Sequence, residues 1–225
     1  MNDNIWLVVA AYNEGSVIRA VLEEALQTFS NIVVIDDGSS DDTAEQIKST
    51  STWYIKHPIN LGQGAALQTG ISFALSQGAM YISTYDADGQ HRVEDVLKMY
   101  ELIVSQNLDV VLGSRFLGNA IGISKFKRFF LKCATFFTNI VSGVKLTDAH
   151  NGLRMLSNKA AKVIKIKQNR MSHASEIIDL IGKHKLTYAE CPVTIVYTEY
   201  SIAKGQRLSN SISILLDHFF SKLHG

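Results

Sequence analysis

Asp86 and Asp88 flank Ala87 at the end of the apolar run MYISTYDAD. Carboxylates spaced i, i+2 at a strand end share one face and coordinate a hard divalent cation, Mg²⁺ or Mn²⁺, through oxygen. An ion held there bridges the two phosphates of a nucleotide diphosphate and stabilises the charge that develops as that group leaves. Gln90, two residues on, offers an amide oxygen to the same set. A bare Asp-x-Asp pair is also an ordinary turn with solvated acids, so its meaning depends on its surroundings.

A second acidic pair, Asp36–Asp37, ends the apolar run NIVVIDD and is followed by Gly38, Ser39 and Ser40. One reading is a turn leading into a helix cap. The other sets a carboxylate against a base N–H or ribose hydroxyls. Adjacent acids at the end of a buried strand are costly unless something pairs with them. The stretch NLGQGAALQTG holds Gly62, Gly64 and Gly70. Its Gly-x-Gly is not a dinucleotide fingerprint, because it follows the third strand and no acidic ribose ligand comes after it at suitable spacing. These glycines permit a tight turn and close approach of a ligand or a helix.

The elements that position these residues follow from periodicity. Continuous apolar runs at 5–11, 31–37, 53–57, 80–88 and 109–112 predict strands buried on both faces. Between them, 15–29, 39–49, 63–76 and 93–106 predict helices. Such alternation predicts an α/β fold with a doubly wound parallel sheet. Ligands of such sheets sit beyond the carboxyl ends of the strands, which here carry YNE, DDGS, DADGQ and GSR.

The 225 residues, 46 % hydrophobic and with two prolines, predict one domain spanning 1–225. Net charge is +1, but residues 1–112 hold 5 Lys/Arg against 15 Asp/Glu, and 113–225 hold 17 against 6. The acidic half suits a metal; the basic half suits phosphates or an anionic membrane surface. Solvated surface charge is the plain alternative. Cys133 and Cys191 form no disulfide framework, which fits a reducing, cytoplasmic setting. The N-terminal apolar run lacks the basic region of a signal peptide, and no stretch of about 18 apolar residues exists to span a bilayer.

AAYNEG, VVIDDGSSDDT, NLGQGAALQTG, YDADGQH, LGSRF and DAHNGLRM occur in the order and approximate spacing of family 2 glycosyltransferases. The chain resembles, within that family, the dolichyl-phosphate mannosyltransferase (polyprenyl-phosphate glycosyltransferase) branch, strongly over about residues 5–160. The resemblance implies a GT-A, Rossmann-like fold and Mg²⁺ or Mn²⁺ held by Asp86, Asp88 and Gln90. It implies that Tyr12 and Glu14 border the base, that Asp37 with Asp36 contacts base or ribose, and that Gly64 lies in the nucleotide-sugar site. Arg115 and Arg128 are expected to meet the donor diphosphate or an acceptor phosphate. Asp148, Gly152 and Arg154 match a segment near the reacting centre. Ala11 stands where the family usually has Pro, and His150–Asn151 replace a small-residue pair.

The implied reaction is inverting transfer of a sugar from a nucleoside-diphosphate sugar to a polyprenyl phosphate, in cell-surface polysaccharide or glycoconjugate synthesis. A phosphate nucleophile is ionised at pH 7 and needs no strong base; a sugar hydroxyl would need one, and Asp148 is then the candidate. His150, Arg154, Lys204 and Arg207 are the acceptor-side candidates. His173 and Glu176 share a helix face but lack the third ligand of a zinc site. Residues 125–141 and 210–223 read as amphipathic helices that either close the core or meet a membrane surface or a membrane-protein subunit. Peripheral attachment at the inner face of the membrane is the expectation, with no nucleic-acid partner. The rivals are a transferase acting on a sugar hydroxyl of a growing glycan, a nucleotidyltransferase, whose Gly-rich basic loop is missing after the first strand, and a non-catalytic sugar-nucleotide-binding scaffold.

Overall fold

The computed structural model describes residues 4–198, 200 and 201. Lys204, Arg207 and the predicted helix 210–223 lie outside the described residues. The strands are β1 Ile5–Ala11, β2 Asn31–Asp36, β3 Trp53–Lys56, β4 Tyr81–Asp86, β5 Val110–Ile121, β6 Arg154–Ser157 and β7 Tyr188–Val196. The helices are α1 Ile18–Leu26, α2 Thr43–Lys48, α3 Gln63–Ser76, α4 Val93–Ser105, α5 Lys125–Ser142, α6 Asn158–Val163 and α7 His173–Lys183. All seven strands form one sheet in the order β3-β2-β1-β4-β6-β5-β7.

β1 to β4 pair in parallel, as the alternation predicts, with Ala11 opposite Asp36 and Ala10 opposite Asp86. The order doubles back at β1, which has β2 on one side and β4 on the other. That switch point opens the crevice in which ligands of such sheets bind. Residues alternate between the faces of β1. Ile5, Leu7 and Val9 pack with α1 and α4, while Trp6 and Val8 pack with α3 and α7.

The sheet is mostly parallel, as expected, and its antiparallel strand stands at the centre. β6 runs antiparallel between β4 and β5, setting Arg154 opposite Thr84 and Leu112. An antiparallel strand begins at the edge where its parallel neighbours end, so the segment 148–154 is delivered beside Asp86. β5 also continues to Ile121, so GSR is not a strand end. It sits at a register shift between Ser114 and Asn119, where Ser114 Oγ accepts from the backbone N–H groups of Phe116 and Leu117. A bulge of this kind re-aims the next side chain, here Arg115.

α3 lies hard against the sheet because Gly70 faces β1. A Cβ at this position would stand 2.3 Å from Val8 Cγ1. We expect Gly70→Ala to destabilise the protein by about 1–2 kcal/mol, overpacking outweighing the gain in helix propensity. Urea midpoints check this; an unchanged or raised midpoint would show that α3 can move off β1.

Candidate active site

The loops after β1 and β2 are stitched together before any ligand is considered. Asn13, at φ 54°, donates its N–H to Ser39 Oγ, and its side-chain oxygen accepts from Ser40 N–H at 2.9 Å. Glu14 N–H donates to Thr43 Oγ1 at 2.7 Å, and Gly15 N–H donates to Asp41. The α2 entry is capped from Asp41, whose Oδ1 accepts from Thr43 N–H and Oγ1–H. Tyr12 is 44 % exposed at the crevice rim, and Glu14 Oε2 accepts from the hydroxyl of Tyr200 at 2.7 Å.

Asp36 and Asp37 are both buried and both engaged within the protein. Asp36 accepts from Ser39 N–H and from the Tyr54 hydroxyl, with Lys56 Nζ 3.8 Å away. Asp37 accepts from Leu61 N–H at 3.0 Å and Gly62 N–H at 2.7 Å, and pairs with His57 Nδ1 at 2.7 Å. The acids therefore tie the 57–62 loop to the sheet, which is how their burial is offset. Gly64 faces the protein as well: a Cβ there would meet the Gln168 carbonyl oxygen at 2.0 Å.

Asp86 is the centre of the polar cluster. Its side chain is 30 % exposed, pairs with His91 Nε2 at 2.8 Å and accepts from Gln63 Nε2 at 3.2 Å. The Gly152 backbone lies against it so closely that a Cβ would meet Asp86 Oδ2 at 2.3 Å. Thr84 Oγ1 fixes that backbone by donating to the Gly152 carbonyl. Burial pushes the Asp86 carboxyl up, but the charge and hydrogen bond of His91 and the charge of Arg154 outweigh it and hold Asp86 below its ordinary value. Burial, then the negative charge of Asp86, push Asp88 up to about 6. Gln90 donates its backbone and side-chain N–H groups to Asp88 at 3.1 and 2.7 Å. Gln90 thus supports Asp88 from the direction in which the sequence suggested a third ligand.

Among the described residues, no three His, Cys, Asp or Glu side chains converge as a metal site. What exists is a partly open pair of carboxylates whose mutual repulsion adds to burial in raising Asp88. A hard cation relieves that repulsion. Asp86 and Asp88 fit Mg²⁺ or Mn²⁺ if a ligand's phosphate oxygens complete the shell.

Arg115 and Asp148 meet, but they are turned toward each other. Arg115 donates from Nε to Asp148 Oδ2 at 2.6 Å, from Nη1 to the Tyr197 hydroxyl at 2.6 Å and from Nη2 to the His150 carbonyl at 3.0 Å. Both residues are buried, and the Asp148 loop is held in turn by the Glu190 carboxylate. Arg154 is buried between the charges of Asp86 and Asp148, and burial lowers it to about 10. Its Nη1, with His150 Nε2 and Asn151 Nδ2, is a buried atom without a hydrogen-bond partner. Arg128 lies apart, on the surface of α5, with its guanidinium 5.9 Å from the Phe116 ring centre.

Sequence reasoning missed several members. Lys127 stacks on the Tyr197 ring at 4.6 Å; burial and the charge of Arg115 lower its pKa, while Asp88 opposes this. His91 lies inside the quoted YDADGQH, five residues after Asp86, and was legible there. Tyr197 carried no local signal, and His173, weighed in the sequence only with Glu176, is buried with its Nδ1 bonded to the Arg170 carbonyl.

These features define a class first: an α/β group-transfer enzyme with an acidic pair at the switch point and cations facing it. The chain belongs to glycosyl transferase family 2, whose sequence model matches residues 6–165. It is 37 % identical to an uncharacterised protein of Methanocaldococcus jannaschii, over 98 % of this chain and 93 % of that one. It is 32 % identical to the UDP-N-acetylglucosamine–dolichyl-phosphate N-acetylglucosaminyltransferase of Methanococcus voltae, over 89 % of each. A dolichyl-phosphate β-glucosyltransferase of Dictyostelium discoideum is 29 % identical over 96 % of this chain and 73 % of its own length. Among solved structures, glucosyl-3-phosphoglycerate synthase of Mycobacterium tuberculosis, in complex with Mn²⁺ and UDP-glucose, superposes with a TM-score of 0.74. That match covers 98 % of this chain and 79 % of the synthase at 14 % identity, a likeness of fold. The protein is a GT-A glycosyltransferase whose relatives include dolichyl-phosphate sugar transferases.

The histidines give the site a pH signature. Burial, then the charge of Arg154, lower His173 from 6.5 to about 4, so its imidazole is neutral at pH 7. Its folded value lies below its unfolded one. The stabilisation is therefore present above pH 6.5 and is lost as pH falls toward 4, because the unfolded chain takes up the proton first. Between pH 7 and 5 we expect this residue to remove roughly 1–2 kcal/mol. Urea titrations should show a shallower pH dependence for His173→Gln than for the wild type.

Proposed function

We propose that the protein transfers a sugar from a nucleoside-diphosphate sugar to a polyprenyl phosphate, with inversion, in the synthesis of cell-surface glycans or glycoconjugates. The observation that carries the acceptor class is the state of Asp148. A hydroxyl acceptor needs a base to take its proton, and the carboxylate best suited by sequence is buried and ion-paired to Arg115 at 2.6 Å. Asp36 and Asp37 hold loops, and Asp86 and Asp88 form the acidic pair. A phosphate monoester needs no such base. Two relatives bear names that specify a dolichyl-phosphate acceptor, which supports the same reading.

In this proposal Asp86 and Asp88 hold Mg²⁺ or Mn²⁺, which when bound neutralises charge on the departing diphosphate. His91, Gln63 and Gly152 fix the Asp86 carboxylate, and Gln90 fixes Asp88. Tyr12 and Glu14 border the nucleoside, and the loop tied down by Asp36 and Asp37 forms its floor. Lys127 takes the acceptor phosphate, whose oxygen attacks the anomeric carbon as the bond from that carbon to the diphosphate oxygen breaks. Arg115 and Asp148 act as a positioning pair, and Arg154 balances the charge behind Asp86. No described helix is long and apolar enough to cross a membrane, and we assign the protein a peripheral place at the cytoplasmic face.

The test measures donor hydrolysis and transfer to a polyprenyl phosphate, with UDP- and GDP-sugars and either metal. We expect metal-dependent glycolipid product, reduced on the order of 10²–10³-fold in Asp88→Ala. Donor hydrolysis without lipid product would move the acceptor to a sugar hydroxyl, and no binding of any donor would leave a scaffold. Gly152→Ala should keep the fold yet lower turnover on the order of 10–100-fold, because the added methyl displaces Asp86. Lys127→Ala should raise the acceptor KM while leaving the donor KM unchanged. Equal changes in both would remove Lys127 from the acceptor site.

A further inference from the structure

α5 buries only Ala134, Thr135 and Thr138 completely. On its outer side Phe126, Phe129, Phe136 and Ile140 are 65, 68, 68 and 66 % exposed, and Cys133 between them is exposed too. At 100° per residue these five share one stripe, and Lys125, Arg128 and Lys132 fall together along one flank of it. The cations are seated: Arg128 and Lys132 stand over the Phe116 ring at 5.9 and 5.5 Å. Beyond that ring, β5 turns Leu117 and Ile121 outward, each about half exposed. A band of positive charge is thus bounded on both sides by exposed apolar side chains, and α5 contains no acidic residue.

Charge complementarity selects the occupant. A second copy of this face would cover the aromatic stripe but oppose cation to cation. A neutral helix would leave the cations without counter-charge. An anionic lipid surface meets both: headgroups at the level of the cations, and aromatic side chains at the acyl boundary on either side. The inward turn of the same helix carries Lys127, which feels the charges of Asp88 and Arg115. The stripe and the site therefore lie on opposite sides of one helix, about 10–12 Å in diameter.

We propose that the outer face of α5, with Leu117 and Ile121 of β5, docks on an anionic bilayer and sets Lys127 at the level of the lipid headgroups. The delivery of a lipid acceptor rests on the function proposed above; the docking itself does not. Cys133 is a built-in reporter, with buried Cys191 as its silent control.

The full chain is mixed with vesicles of phosphatidylcholine alone or with about 30 % phosphatidylglycerol, followed by flotation and maleimide labelling. We expect flotation with the anionic vesicles only, weakened by salt, and Cys133 labelling slowed about tenfold on binding. Phe129→Ser/Phe136→Ser and, separately, Lys125→Glu/Lys132→Glu should each weaken flotation about tenfold or more. Both should keep wild-type transfer to a short-chain, water-soluble prenyl phosphate. Flotation that survives both pairs of substitutions overturns the proposal, as does Cys133 already shielded in solution, whether by a second copy or by the chain itself. Loss of short-chain transfer in parallel would place the stripe in the active site and also overturn it. Shielding by vesicles without sugar transfer to any lipid phosphate would sink the acceptor reading and leave the docking face standing.

Discussion

The buried pair of Arg115 and Asp148 is the contact on which the site depends. It joins the bulge in β5 to the segment before β6, and through the Tyr197 hydroxyl it reaches the chain after β7. Two charges removed from water are stable only when their remaining hydrogen-bonding capacity is met. Here the guanidinium is met by a carboxylate, a phenol and a backbone carbonyl. The carboxylate also accepts the backbone N–H groups of Arg115 and His150. Removing either partner leaves a buried charge uncompensated, so three segments distant in sequence lose their shared anchor together.

That anchor matters because of what it holds in place. The segment from Asp148 to Arg154 enters β6 against the direction of its neighbours, bringing Gly152 onto Asp86 and Arg154 behind it. Asp86 is stabilised as an anion by His91 and Arg154, while burial, and then the charge of Asp86, drive Asp88 toward its neutral form. Two carboxylates in sequence neighbourhood thus acquire opposite tendencies. A cation arriving with a diphosphate would offset the repulsion between them.

Much of this was legible from local pattern. The five apolar runs gave strands at the expected places, and four of them pair in parallel with their polar ends together. The acids after β2 and β4 stand where strand-end logic put them. Residues whose roles depend on distant partners were not legible. Nothing local distinguishes an arginine that binds a ligand from one that locks a loop, and Arg115 does the latter because a bulge turns it toward Asp148. Nor does periodicity reveal β6, four residues long and antiparallel, although the whole segment 148–154 is placed by it. The Gly64 position likewise read as an approach for ligand or helix, and the neighbour is the Gln168 carbonyl.

The division of charge along the chain acquires a physical sense from this architecture. The acidic half contributes β1 to β4 and their loops, and its unpaired tendency toward negative charge concentrates at Asp86 and Asp88. The basic half supplies most of β5, with β6, β7 and α5, so its cations are brought to the crevice by the pairing of β6 between β4 and β5. Lys127, on α5, feels the charge of Asp88, and Arg154, inside the sheet, that of Asp86. Neither forms a direct ion pair with the acidic pair, which would quench the charge needed to hold a cation. Separation within one crevice keeps both signs available, which is the condition that the proposed transfer between a negatively charged donor and a negatively charged acceptor requires.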